Sequence, residues 1–178
     1  MISLFRTAPD LMVQYAHYHR DRRNIVTHLV GIPLIVLSIG MLLSLVSWNI
    51  AGHAVSLAAL LWVLSTLWYL TRGNLLLGVA TSLVNGALFA LAHTPEAATG
   101  WGLSALYDAA WFPGLAVFVI GWAIQFVGHI FEGRKPAFVD DVVGLLVGPM
   151  FVVGEVLMMA GMLRSMHSLI EAQAGATR

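Results

Sequence analysis

No Asp, Glu, Lys or Arg occurs between Arg23 and Arg72, and none occurs again between Arg72 and Glu96. A soluble fold cannot be covered by so few charges over so long a stretch. A bilayer core can accept it, since about 20 apolar residues in a helix suffice to cross. Of 178 residues, 59% are hydrophobic and 10% charged, with a mean hydropathy of +0.84. An average soluble domain carries roughly 25% charged residues. The expectation is an all-α fold, a polytopic membrane helical bundle of about five hydrophobic helices behind an N-terminal interfacial helix. It forms a single membrane-embedded domain over residues 1–178.

Turn residues divide the chain. Pro9 to Arg20 reads as an interfacial amphipathic helix, with Pro9 suited to its first turn. Spans are then expected from Ile25 to about Val46, from His53 to Leu70 after "SWNIAG", and from Leu75 to Ala92 after "TRGN". The loop "HTPEAATGWG" and a short interfacial segment lead to a fourth span near Ala109–Ile130 and a fifth near Val142–Leu163. Residues 164–178 read as a tail, and its polar end "EAQAGATR" as frayed.

Basic residues orient the bundle. Arg6, Arg20, Arg22 and Arg23 precede the first span, Arg72 follows the second, and Arg134 and Lys135 follow the fourth. All fall on one side if the N-terminus is cytoplasmic. Arg164 and Arg178 are exceptions if the fifth segment crosses fully, and a re-entrant fifth segment removes the conflict. The expected location is a bacterial inner membrane, or the endoplasmic reticulum in a eukaryote. Zero net charge gives no field to recruit nucleic acid, and the absence of cysteine excludes disulfides and thiolate chemistry. The N-terminus lacks the pattern of a cleavable signal.

This orientation sorts the histidines. His17, His19, His28 and His129 share the cytoplasmic face, while His53 and His93 lie at the other. Gln125, His129 and Glu132, spaced by four and three, share one helix face. Nitrogen and oxygen ligands without sulfur suit iron, zinc or manganese, and two histidines with a carboxylate are the non-haem iron oxygenase pattern. His19 and His28, nine residues apart, would stand about 13 Å apart on one continuous helix. They can share a metal only across a break, for which "RDRRN" is suited, with Asn24 as cap. Tyr15, one turn before His19, offers a hydroxyl partner, and His17 points away.

Other residues have plainer readings. His53, His93 and His167 read as structural. Arg20, Arg22, Arg23, Arg134 and Lys135 fix topology and touch anionic lipid, with a second role open in pairing a substrate carboxylate. Glu155 lies inside an apolar segment, where an unpaired carboxylate costs about 2.5–3.5 kcal/mol, so it must be protonated, paired or wet. Asn85 and Gln125 are its candidate partners. Asp140 and Asp141 complement a helix N-terminus. Gly144, Gly148 and Gly154, with Pro33, Pro113 and Pro149, point to close packing and kinks.

"YAHYHRDRRNIVTHLVGIPL" and "QFVGHIFEGRKPAFVDDVVGLLVGPMFVVGE" closely resemble the two signature blocks of the 2-hydroxy fatty acid dioxygenases. The resemblance rests on Tyr15, His19, Asn24, His28, Gly31 and Pro33 in the first block. In the second it rests on Gln125, Gly128, His129, Phe131, Glu132, Pro136, Pro149 and Glu155. It implies an Fe(2+)-dependent α-oxidation, in which a long-chain 2-hydroxy fatty acid and O2 give an acid one carbon shorter. His19, His28 and His129 would bind metal, with Glu132, Asn24 and Tyr15 in catalytic roles. Arg23, Arg134, Lys135, Gln125 and Glu155 would contact substrate, and membrane lipid would surround the bundle. Whether His17, Glu132 or Glu155 completes the metal shell stays open. The rivals are a di-iron lipid hydroxylase, a metal or proton transporter and a non-enzymatic lipid-binding scaffold. Iron stoichiometry separates the hydroxylase and the scaffold from the dioxygenase.

Overall fold

The computed structural model describes residues 3–94 and 109–178, with Ala97, Gly102, Leu103 and Leu106 between them. Most of the expected loop after His93, and the interfacial segment after it, lie outside the described residues. The fold is mostly helical: α1 (Ala8–Ala16), α2 (Arg22–Ser44), α3 (Leu57–Leu70), α4 (Leu75–Ala92), α5 (Phe112–Glu132), α6 (Gly144–Met159) and α7 (Arg164–Ala174). Three helices, α2, α4 and α5, are long and apolar enough to cross a membrane, and α3 is a shorter apolar helix.

Local chemistry sets the ends. Thr7, Asp21, Ser56 and Asn74 cap α1 to α4, each accepting a backbone N–H of the first turn with its side chain. Asp21, rather than Asn24, is therefore the cap of α2. The break falls at residues 17–21, just ahead of most of "RDRRN". Between α2 and α3 the chain forms an antiparallel hairpin, β1 (Ser47–Ile50) with β2 (His53–Ser56). The second span thus starts at Leu57 and not at His53, because the Ala51–Gly52 pair, both at positive φ, turns the chain tightly.

Helices α2 and α5 pack antiparallel at very short range. Glycines 114, 121 and 128 recur every seven residues on α5, and each leaves no room for a Cβ against α2. Gly114 faces Met41 and Leu42, Gly121 faces Gly31 and Ile35, and Gly128 faces Asn24 and Thr27. Small residues at such a seam let two backbones approach in lipid, where packing replaces the hydrophobic drive.

Two expectations need correction. The fifth segment is shorter than expected, its helix running from Gly144 to Met159 in place of Val142–Leu163. Helix α6 stops at Gly161, which sits at φ 78° while the Met162 N–H bonds the Leu157 carbonyl, and α7 departs at 113°. Helix α6 packs Leu146 against Tyr69, Gly154 against Met12 and Leu77 and Glu155 near Arg20, while Val152 joins Ile32, Val36 and Phe89 in a second apolar cluster. Nor is the tail frayed. Met166 and Ile170 of α7 are buried in the core that holds α1, and Arg178 pairs its backbone with Arg20 and Arg22. The polar composition hid this, since the arm docks through main-chain bonds. Helix α1 is likewise more than a surface helix. Leu11, Met12 and Ala16 are fully buried, wedged against α6 and α7.

Candidate metal centre

The turn after α1 brings His19 back against His28 in the second turn of α2. His129 joins them from the last turn of α5, which Gly133 closes at φ 68°. One nitrogen from each ring lies within 4.8 Å of the others. His19 and His28 have no exposed surface and His129 only 6%.

The proton positions follow from the partners. His19 Nδ1 donates to the Tyr15 carbonyl at 2.8 Å, and His28 Nδ1 to the Asn24 carbonyl at 2.9 Å. A carbonyl only accepts, so in neutral rings both protons sit on Nδ1 and both Nε2 atoms present lone pairs. Those two Nε2 atoms are 3.0 Å apart. His129 Nδ1, also buried, has no hydrogen-bond partner. Burial, followed by the neighbouring His28 ring, holds His19 well below the usual imidazole range, so charging it is disfavoured. Two Nε2 lone pairs facing each other, with a nitrogen of a third buried imidazole beside them, suit a metal cation. The C-terminal carbonyls of α5 add favourable partial charge nearby.

A second layer holds this arrangement. The Tyr15 ring stacks on His19 at 4.2 Å with an interplanar angle of 2°. Glu132 does not join the three imidazoles. Its Oε2 accepts the backbone N–H groups of Arg20 (2.9 Å) and Asp21 (2.7 Å) and the Asn24 amide (3.1 Å), while Oε1 meets Arg178 at 3.5 Å. Asn24 also donates to the Tyr18 carbonyl. Glu132 and Asn24 thus fix the turn that delivers His19 to His28.

A family model described as 2-hydroxy-palmitic acid dioxygenase Mpo1-like matches residues 5–160. The chain belongs to the Mpo1-like family. A curated relative, 2-hydroxy-palmitic acid dioxygenase MPO1 of Saccharomyces cerevisiae, is 31% identical over 159 residues, covering 88% of this chain and 83% of the relative. No solved structure matches the chain.

The remaining expected site residues of this Mpo1-like chain divide in two. Gln125 lies one turn before His129 and, with Tyr15, lines an apolar cavity of about 230 Å³ between α2, α5 and the start of α6. Among the described residues, neither the Gln125 amide nor the Tyr15 hydroxyl has a hydrogen-bond partner in the protein. The charged candidates point elsewhere. Arg23 is exposed, paired with Asp21 and laid over Phe131, and Lys135 pairs with Asp140. Arg134 donates to the His17 carbonyl. Glu155 meets Arg20 at 4.0 Å, rather than Asn85 or Gln125.

Arg20, expected to fix topology with a second role open toward a substrate carboxylate, instead braces the turn that carries His19. Its side chain is nearly buried and ties the carbonyls of Ala16, His19 and Gly175 together. Its position beside His19 was the available signal. At the other end of the bundle, His93 bonds Ser44, Ser56 and the Phe89 carbonyl, which accords with a structural role.

Proposed function

We propose that this chain is an Fe(2+)-dependent dioxygenase that shortens long-chain 2-hydroxy fatty acids by one carbon. The observation that carries the reading is the buried group of three imidazoles, His19, His28 and His129, in which the Nε2 lone pairs of His19 and His28 face each other. The relative's name, a dioxygenase of 2-hydroxy-palmitic acid, supports the substrate class. One 2-hydroxy acid and one O2 give the shorter acid, CO2 and water. The substrate supplies all the electrons that O2 accepts, so no reductant is needed.

Iron, when bound, supplies the one-electron chemistry that lets O2 react with a closed-shell acid. The protein's part is positioning. Tyr15 and Asn24 carbonyls keep the Nδ1 protons of His19 and His28 in place, leaving Nε2 free to ligate. Glu132 holds the turn between them. The Tyr15 hydroxyl and the Gln125 amide are the polar groups left to receive the alcohol and carboxylate of the substrate. Burial pushes the Tyr15 phenol above its usual range, so it keeps its proton and donates. The apolar helices exclude water and take the tail. On the basic-residue argument this chemistry faces the cytoplasm.

The test is product analysis. Iron-loaded protein given 2-hydroxypalmitate and O2 should consume O2 in step with the appearance of pentadecanoate. Oxygen uptake without a shortened acid, or neither, contradicts the proposal.

A further inference from the structure

The cavity that Tyr15 and Gln125 open into is lined by two helices that lead away from the histidines. Along its wall on α2 come Ile32, Ile35 and then Ile39; along α5 come Gln125, Trp122 and then Phe118. The glycine seam runs the two helices antiparallel, and Ile39 and Phe118 are the lining residues of α2 and α5 farthest along the chain from His28 and His129. Each lies eleven residues from a histidine of the trio, Ile39 beyond His28 and Phe118 before His129. At 1.5 Å per helical residue that is about 16 Å, the reach of an extended chain of about a dozen methylenes. An apolar cavity with polar groups only at one end takes an apolar guest carrying a polar head.

We infer that this cavity is the acyl channel of the site, and that Ile39 and Phe118 form the stop that sets substrate chain length. The inference rests on the proposed reaction for the identity of the guest. Gly148 shapes the near end: a Cβ there would stand 3.1 Å from Ile32 and 3.3 Å from the Tyr15 hydroxyl, and would press on both. The rings of Phe118, Trp122 and Phe138 form a continuous aromatic side wall.

Two measurements test it. A 2-hydroxypalmitate analogue with a diazirine at its terminal carbon is irradiated with the full chain in lipid nanodiscs, with and without excess unlabelled 2-hydroxypalmitate. Competable adducts on the peptides holding Ile39 and Phe118 are expected. Adducts on the outer groove of α3 and α4 near Trp62 and Leu83, or adducts that do not compete, overturn the channel. Independently, Ile39→Trp should shift the ratio of kcat/KM for 2-hydroxyoctanoate over 2-hydroxypalmitate by about tenfold, mainly through KM, and Phe118→Ala should extend the tolerated length. Equal loss at all lengths overturns the stop. The two readings fail separately: terminal labelling without turnover removes the oxidation and keeps the channel, whereas turnover without terminal labelling removes the channel and keeps the oxidation.

Discussion

Glu132, at the end of α5, accepts the backbone N–H of Asp21 at 2.7 Å across 111 residues of chain. The bond clamps the turn between His19 and His28 against the helix that carries His129. A charged acceptor for backbone N–H groups in a buried place is worth about 1.5–3 kcal/mol per bond. Glu132→Gln keeps an acceptor oxygen but loses the charge and aims an N–H at donors. Metal affinity and turnover should each fall about 10–100-fold, the usual loss for a residue that orients a ligand. Metal titration checks this, and wild-type affinity in the mutant would remove Glu132 from the site's support.

Gly128 packs directly against the first turns of α2. A Cβ at this position collides with Asn24 and Thr27, and Asn24 anchors both Glu132 and the His28 proton. Gly128→Ala should cost about 1–3 kcal/mol through overpacking and loosen the metal as well. A lowered unfolding midpoint in detergent, with lowered metal content, is the expected pair of results. An unchanged midpoint would mean that the two helices can part at no cost.

Tyr15→Phe separates chemistry from architecture. The ring stack on His19 and the backbone carbonyl that holds the His19 proton both survive. Iron content should therefore stay at the wild-type level while turnover falls about 10²-fold, the common size of a lost proton donor. Loss of iron in this variant would show that the hydroxyl supports the site rather than the substrate.

Topology can be read cleanly because the chain has no cysteine. Thr71→Cys and Ser168→Cys should react with an impermeant maleimide from the same side, and Asn49→Cys from the other. Labelling of Ser168→Cys together with Asn49→Cys would restore a fifth full crossing.

The trio was legible because charge asymmetry assigns membrane sides, and because a separation of nine positions between His19 and His28 forces a break if the two are to meet. The third span was legible to the residue, being framed by Asn74 and His93. What escaped is what periodicity does not carry. Asn24 looks like a cap, yet it sits inside α2, since Asp21 already satisfies the first-turn N–H groups. Glu132 looks like a ligand by spacing, but only three-dimensional proximity reveals the N–H groups of Arg20 and Asp21 that claim it. The end of the chain looks disordered by composition, because main-chain pairing with Arg20 and Arg22 leaves no mark on side-chain identity.

The central claim is that His19, His28 and His129 together hold one iron. Iron per chain, measured on protein purified without oxygen, tests it most directly when five single alanine variants are compared with wild type. The account predicts one iron in wild type, its loss in the variants of His19, His28 and His129, and no change in those of His53 and His93. Full iron in any of the first three, or loss of iron on changing His53 or His93, would contradict it.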